Sequence, residues 1–246
     1  MFRVFCLNAR YCQGQDGPQC WRARLPRIVD LIKTWEPALI AFQEILPHQR
    51  GDIEQSLFPY QWFGLGRDGD FGGEQCPVGV ARDSEVLGST NIWLSANPDR
   101  PGSIGWDACL PRICTVVWLR HEGQRIVFAS THFDHLGRRA RKESASLLCS
   151  VLNESHTIVA GDFNCRPTST PVKILRKRFK DSFEESDYRG EVTTFHDFGR
   201  TPRGPQIDYL FYDSAFELER FEVLAEDGPD YSSDHFPLMA EYRFGR

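Results

Sequence analysis

No apolar run in the chain approaches the roughly 20 residues that a membrane-spanning helix requires, so no span is expected. There is no excess of positive charge either. The chain has 29 Lys and Arg against 34 Asp and Glu, a net charge of −5. That balance argues against a surface coated for tight nonspecific duplex binding, which needs many cationic phosphate contacts, but leaves room for a local basic rim. The C-x-x-C pair of a zinc or redox motif is missing. The eight cysteines (6, 12, 20, 76, 109, 114, 149 and 165) are scattered and are expected to be reduced and mostly packed. Repeats, low-complexity tracts and linkers are absent too, which favours one domain over 1–246. The N-terminus opens directly on a strand-like run, Phe2 to Leu7, so no cleavable signal peptide is expected. The expectation is a cytoplasmic, monomeric protein.

What is present is an alternation of short Val-, Ile- and Phe-rich runs with a few helices. Strands are predicted over 2–8, 38–44, 77–82, 86–94, 112–119, 125–133, 156–162, 206–213, 217–224 and 236–243. Leu25, Ile28, Val29 and Ile32 recur at helical spacing and predict a helix over 25–35, with Pro37 just beyond its end. A second helix is predicted over 138–153, its apolar side made of Ala140, Leu147, Leu148, Val151 and Leu152. Shorter helices are expected at 48–56 and 171–178. Many strands and few helices suggest an α/β sandwich, not a barrel of regular βα repeats. The segments 64–73 and 96–111 read as surface loops of the kind that often carry specificity.

Polar residues stand at the ends of several hydrophobic runs: Asn8 in FCLNAR, Glu44 in LIAFQE, His132 and Asp134 in FASTHFDH, Asp162 and Asn164 in VAGDFN, Asp208 in QIDYLFY, and Asp234 with His235 in SSDHFPL. Carboxylates, carboxamides and histidines suit a hard divalent ion and a phosphate better than they suit a strand end that only needs to fold. In GDFN, Gly161 permits a tight turn. Asp162 and Asn164 then project to one side of an extended segment and could address one phosphate, or could simply close the strand. Asp162 could orient or deprotonate a water. Glu44 is either a surface strand terminator or a metal ligand; with Asn8, and Asp234 in support, it would suit Mg2+ or Mn2+, which need only one or two protein carboxylates. His235 can exchange protons near neutral pH.

The order and wording of these motifs resemble the endonuclease/exonuclease/phosphatase superfamily of magnesium-dependent phosphoesterases, nearly end to end. The resemblance implies a four-layer α/β sandwich: two central, mostly antiparallel sheets packed face to face, helices outside, and an active site at one edge. It implies that His132 and His235 contact the scissile phosphate, that Asp208 orients His235, and that a phosphodiester is hydrolysed by direct in-line attack of water. A nuclease-type activity is the leading expectation, with DNA or RNA, single-stranded before duplex, as partner. A small-molecule, sugar-phosphate or lipid-headgroup substrate is the alternative, and a non-catalytic binding protein the remote one.

One departure stands out. Abasic-site endonucleases of this family carry an acidic residue two positions after the first asparagine; here that position is Arg10. The change removes a carboxylate, puts a cation near the presumed phosphate and argues against abasic-site repair. Arg112 and Asp134 are further candidates for substrate contact, with His135 at the rim. The clusters Arg138, Arg139, Arg141, Lys142 and Arg176, Lys177, Arg178, Lys180 could face a nucleic-acid backbone or be solvated helix faces. Trp21, Trp62, Trp93 and Trp106 could stack on bases or pack in the core.

Overall fold

The computed structural model describes residues 1–12 and 16–245. Among them, twelve strands form two six-stranded sheets. The first contains β1 (Phe2–Asn8), β2 (Leu39–Gln43), β3 (Tyr60–Phe63), β4 (Val78–Ala81), β11 (Phe216–Val223) and β12 (Leu238–Phe244), in the order β11-β12-β1-β2-β4-β3. The second contains β5 (Glu85–Trp93), β6 (Ile113–His121), β7 (Gln124–His132), β8 (Thr157–Asp162), β9 (Lys180–Asp181) and β10 (Asp208–Tyr212), in the order β5-β6-β7-β8-β10-β9. Each sheet is antiparallel except for one parallel pair, β1 with β2 and β7 with β8. The sheets are therefore mostly antiparallel, as the resemblance implies.

Period-two alternation along these strands builds the layers. Val4 and Cys6, Leu39 and Ala41, Ile126 and Phe128, Ile158 and Ala160, and Leu210 and Tyr212 meet between the sheets in one buried core. The alternate residues face outward. Phe5, Leu7, Ile40 and Phe42 pack with the side chains of α1 (Trp21–Trp35) and α2 (Pro47–Ser56). Val127, Ala129, Val159 and Phe211 pack with α3 (Arg138–Val151) and α4 (Thr170–Leu175). Helix, sheet, sheet, helix is the resulting order, with a one-turn α5 (Ser182–Glu185) beside β10.

Several element boundaries differ from those predicted. Helix α1 begins at Trp21, not Leu25: Pro26 lies inside it, and no side chain caps its start, so neither usual signal marks the true N-terminus. Val151 is exposed; the buried face of α3 runs through Ala140, Ser144, Ala145 and Leu148. The fourth helix ends at Leu175, and two short strands, at 60–63 and 180–181, add to those predicted. Gly161 opens no turn. It lies within β8, where a Cβ would come 2.0 Å from the Thr131 backbone oxygen on the neighbouring parallel strand.

Candidate active site

The inward-facing stripes of four strands run into polar residues at the same edge of the sandwich. Asn8 continues Val4 and Cys6; His132 continues Ile126 and Phe128; Asp162 continues Ile158 and Ala160; and Asp208 precedes Leu210 and Tyr212. Strand register then brings them level, with Asp162 opposite both His132 and Asp208. Across the gap between the sheets, the Asn8 amide nitrogen donates to Asp162 Oδ2 at 3.0 Å and to Glu44 Oε1 at 3.1 Å. Glu44 reaches this position because its backbone is left-handed, with φ 62°, which turns its side chain off the alternation of β2. Its Oε2 accepts from the Tyr11 backbone N–H at 3.1 Å. Arg10 and Asn164 are also left-handed, so three candidate residues hold a conformation that only a well-determined surrounding can maintain.

Asp162 is the hub. Its Oδ1 accepts from the Asn164 N–H at 2.8 Å, and its Oδ2 lies 3.4 Å from His132 Nε2 and 3.9 Å from His235 Nε2. Burial, then the neighbouring Asp208 charge, pushes its pKa up to about 7. Burial opposes a charged imidazole at His235, but the Asp208 carboxylate, 2.9 Å from Nδ1, outweighs it, and the pKa stands at about 10. His132 is the opposite case. Burial, and then the Arg112 charge, hold it well below the ordinary histidine range, so it is neutral. Its Nε2 accepts from Asn164 Nδ2 at 3.0 Å, and the same Nδ2 donates to the Phe133 carbonyl at 3.1 Å. One charged and one neutral histidine thus flank a single carboxylate. Asp162, Asp208 and His235 bring their ligand atoms within 4.8 Å of one another.

Asp162, His132 and His235 line a cleft of about 500 Å³. Arg10, Arg112, Glu44, Asp234 and Asn164 line it as well; Asn8 and Asp208 lie beneath its surface. Arg10 reaches Asp234 at 3.5 Å and Asp16 at 3.6 Å. Burial raises the pKa of Asp234, against the charge of His235. The Asp134 carboxylate is turned away from the cleft: its Oδ1 accepts from the Leu136 and Gly137 N–H groups, and its Oδ2 lies 3.6 Å from Arg112. Asp134 therefore positions Arg112 from behind. Cys165 is buried in the outer core under α3.

The remaining walls come from residues without a strand-end signal: Tyr11, Arg67, Glu74, Leu110, Phe195 and Ile207. Arg67 and Leu110 lie in the two loops expected to carry specificity, and Glu74 follows the first of them directly. Arg67 is paired with Glu74 at 2.8 Å, and its carbonyl accepts from the Trp93 indole at 2.7 Å. None of the four tryptophans named above lines the cleft. Arg176 is spent on Asp181 and Glu184, both at 2.7 Å, and Arg178 on the Glu154 carbonyl, whereas Arg138 and Arg139 are exposed. The Nε groups of Arg10, Arg67 and Arg112 are buried without a hydrogen-bond partner among the described residues. Arg10, Arg67 and Arg112 all line the cleft, each paired with a carboxylate, so three guanidinium charges stand around one cavity.

Behind these walls a buried arginine ties the site's loops together. Arg24 of α1 donates to the carbonyls of Ala9, Arg10, Gln19 and Ser232, joining the segment after β1 to the one before β12. Ser233 Oγ adds a bond to the Asn8 carbonyl at 2.6 Å.

The family model described as Endonuclease/Exonuclease/phosphatase family matches residues 7–235. None of the curated proteins compared with the chain matches it. Among solved structures, an endonuclease/exonuclease/phosphatase from Bacteroides vulgatus is 33% identical, covers 99% of both chains and superposes with a TM-score of 0.95. A mannosyl-6-phosphatase from Bacteroides thetaiotaomicron is 31% identical over 99% of this chain and 100% of its own, with a TM-score of 0.92. The D. rerio TDP2 complexed with a single-strand DNA product shares the fold, at 16% identity, 98% of each chain and a TM-score of 0.78.

Proposed function

Since the chain belongs to the endonuclease/exonuclease/phosphatase family, whose members hydrolyse phosphoesters, we propose that it is a divalent-metal-dependent phosphatase for monoesters of small polar alcohols, sugar phosphates foremost. The observation that carries this reading is the set of three arginines, Arg10, Arg67 and Arg112, that line a cleft of about 500 Å³ together with His235. A phosphomonoester carries nearly two negative charges, and three arginines with a charged His235 match it better than the single charge of a diester. Glu74 lies on the same walls and can accept from a substrate hydroxyl. The 31% identity to a mannosyl-6-phosphatase supports the same substrate class.

The chemistry of the donors fits a hard cation. Glu44 and Asp234 offer carboxylate oxygens on the cleft wall and, with the Asn8 amide beside Glu44, would hold Mg2+ or Mn2+. When bound, the ion supplies positive charge against the phosphoryl and leaving oxygens. Asp162, with its pKa near neutrality, would orient water in line and accept its proton. His235, kept charged by Asp208, would donate to a nonbridging oxygen, and Asn164 and neutral His132 would position the others. Arg10 and Arg112 would hold the phosphate, with Asp134 fixing Arg112.

A phosphodiesterase acting on single-stranded DNA or RNA is the second reading, favoured by the exposed Arg138 and Arg139 that follow the His132 segment. The test is Mg2+- and Mn2+-supported turnover on hexose 6-phosphates, p-nitrophenyl phosphate, bis-p-nitrophenyl phosphate and single-stranded oligonucleotides, with Asp162→Asn as control. Faster release of phosphate from monoesters supports the proposal; preferred cleavage of diesters replaces it with the second reading.

A further inference from the structure

Apart from the constellation around Asp162, one other group of ligand-type side chains meets among the described residues: Cys109, Asp134 and His135. Cys109 comes from the loop before β6, and the other two from the turn after β7. Their ligand atoms lie within 4.8 Å of one another, at the rim of the cleft. Cys109 Sγ is 3.3 Å from Asp134 Oδ2 and 3.9 Å from His135 Nδ1. A tetrahedral zinc ion, with about 2.3 Å to sulfur and about 2.0 Å to oxygen or nitrogen, places sulfur roughly 3.5 Å from each of the other two ligands. The observed separations bracket that value.

The carboxylate is already fixed for such a role. Asp134 Oδ1 is held by the Leu136 N–H at 3.0 Å and the Gly137 N–H at 2.6 Å, which leaves Oδ2 facing the sulfur. Cys109 and His135 are exposed, so an ion can reach them from solvent. Arg112 now takes the same atoms: its Nη2 meets His135 Nδ1 at 3.1 Å, and its Nε lies 3.6 Å from Asp134 Oδ2. A cation bound by the three ligands would compete with that guanidinium for both partners.

We propose that Cys109, Asp134 and His135 form a second metal site, selective for a thiophilic divalent ion such as Zn2+ and separate from the oxygen-ligand site at Glu44. Sulfur, imidazole and carboxylate together favour zinc over magnesium. On binding, the Cys109 thiol gives its proton to solvent and the ion completes its shell with water. Occupancy displaces Arg112 from His135 and Asp134 and so slows hydrolysis, a consequence that rests on the proposed contact of Arg112 with phosphate.

The site is read without any substrate. Titration of the full-length protein with Co2+ or Cd2+ should produce a thiolate-to-metal charge-transfer band. The band should be retained in Cys12→Ser, Cys20→Ser and Cys149→Ser, lost in Cys109→Ser, and weakened about tenfold or more in apparent affinity in His135→Ala. Absence of the band in the wild type, or its survival in Cys109→Ser, overturns the site. In Mg2+-supported hydrolysis of p-nitrophenyl phosphate, Zn2+ at spectroscopic saturation should slow the wild type and spare Cys109→Ser, whose rate without zinc is unchanged. Equal inhibition of both overturns the coupling to Arg112. Because the band needs no turnover, it decides the metal site even where the hydrolytic reading fails.

Discussion

The Nδ1 atom of His235 and the Oδ2 atom of Asp208 lie 2.9 Å apart, both residues buried, and the pair keeps a cation beside Asp162 at neutral pH. The carboxylate does two things at once: it fixes the ring and it keeps the proton on it.

Replacing Asp208 by Asn should remove that charge while keeping the shape. We expect kcat to fall by about 10²- to 10⁴-fold, the usual scale of a lost acid–base partner. In the metal-free protein, the His235 resonances should titrate far below the pKa of about 10 held by the native pair. NMR of the imidazole protons checks this directly; an unchanged titration would show that Asp208 is not what holds the proton.

Gly161→Ala tests the close approach of β8 to β7. The new methyl would meet the Thr131 carbonyl at 2.0 Å, and backbone cannot yield as a side chain does. A loss of about 3 kcal/mol in a denaturant titration is expected. Activity should fall further than stability accounts for, since Asp162 is the next residue.

Arg24→Met leaves four carbonyls without their guanidinium donor, at least three of them in segments that shape the cleft. A destabilisation on the order of 3 kcal/mol is expected from the lost charged hydrogen bonds. Arg24→Lys should recover part of it. Urea midpoints of the three proteins at one pH give the comparison.

His196 gives the protein an acid sensitivity. Its ring stacks on Phe236 at 3.9 Å, and burial, then the charge of His235, lowers its pKa to about 4. Above the ordinary value of about 6.5 the group is neutral in both folded and unfolded chains and costs nothing. As pH falls from there toward 4, the unfolded chain takes up a proton that the folded one refuses, so stability drops, by up to about 3 kcal/mol in total. His196→Phe should flatten the change in urea midpoint between pH 7 and pH 4.5, and an equal slope in both proteins would assign the effect elsewhere.

Much of the fold is written in the strand periodicity. Val4–Cys6–Asn8 and Ile158–Ala160–Asp162 can be followed from apolar core to polar edge without coordinates, because period two fixes the face of each residue. Glu44 breaks that logic. Its placement needs a left-handed turn that no glycine announces, and only the assembled Asn8 amide and Tyr11 N–H explain it. Arg67, Glu74 and Phe195 were not legible at all, since each stands in an irregular segment where neither spacing nor neighbours assign a direction. Asp134 illustrates the converse. Its sequence context beside His132 resembles a cleft residue's, yet the N–H groups of the following turn claim its carboxylate.

The Asn8–Asp162 bond joins the two sheets through residues 154 positions apart, and Ser130 crosses the same gap to Gln43 and to the Phe42 carbonyl. Catalytic competence is therefore a property of the seam and not of either half. A solvent condition that loosens the seam by an ångström would silence the enzyme while both sheets keep their hydrogen-bonded ladders. During refolding, circular dichroism should recover before turnover does, and in rising urea turnover should vanish first, which makes activity the most sensitive gauge of whether the sandwich is shut.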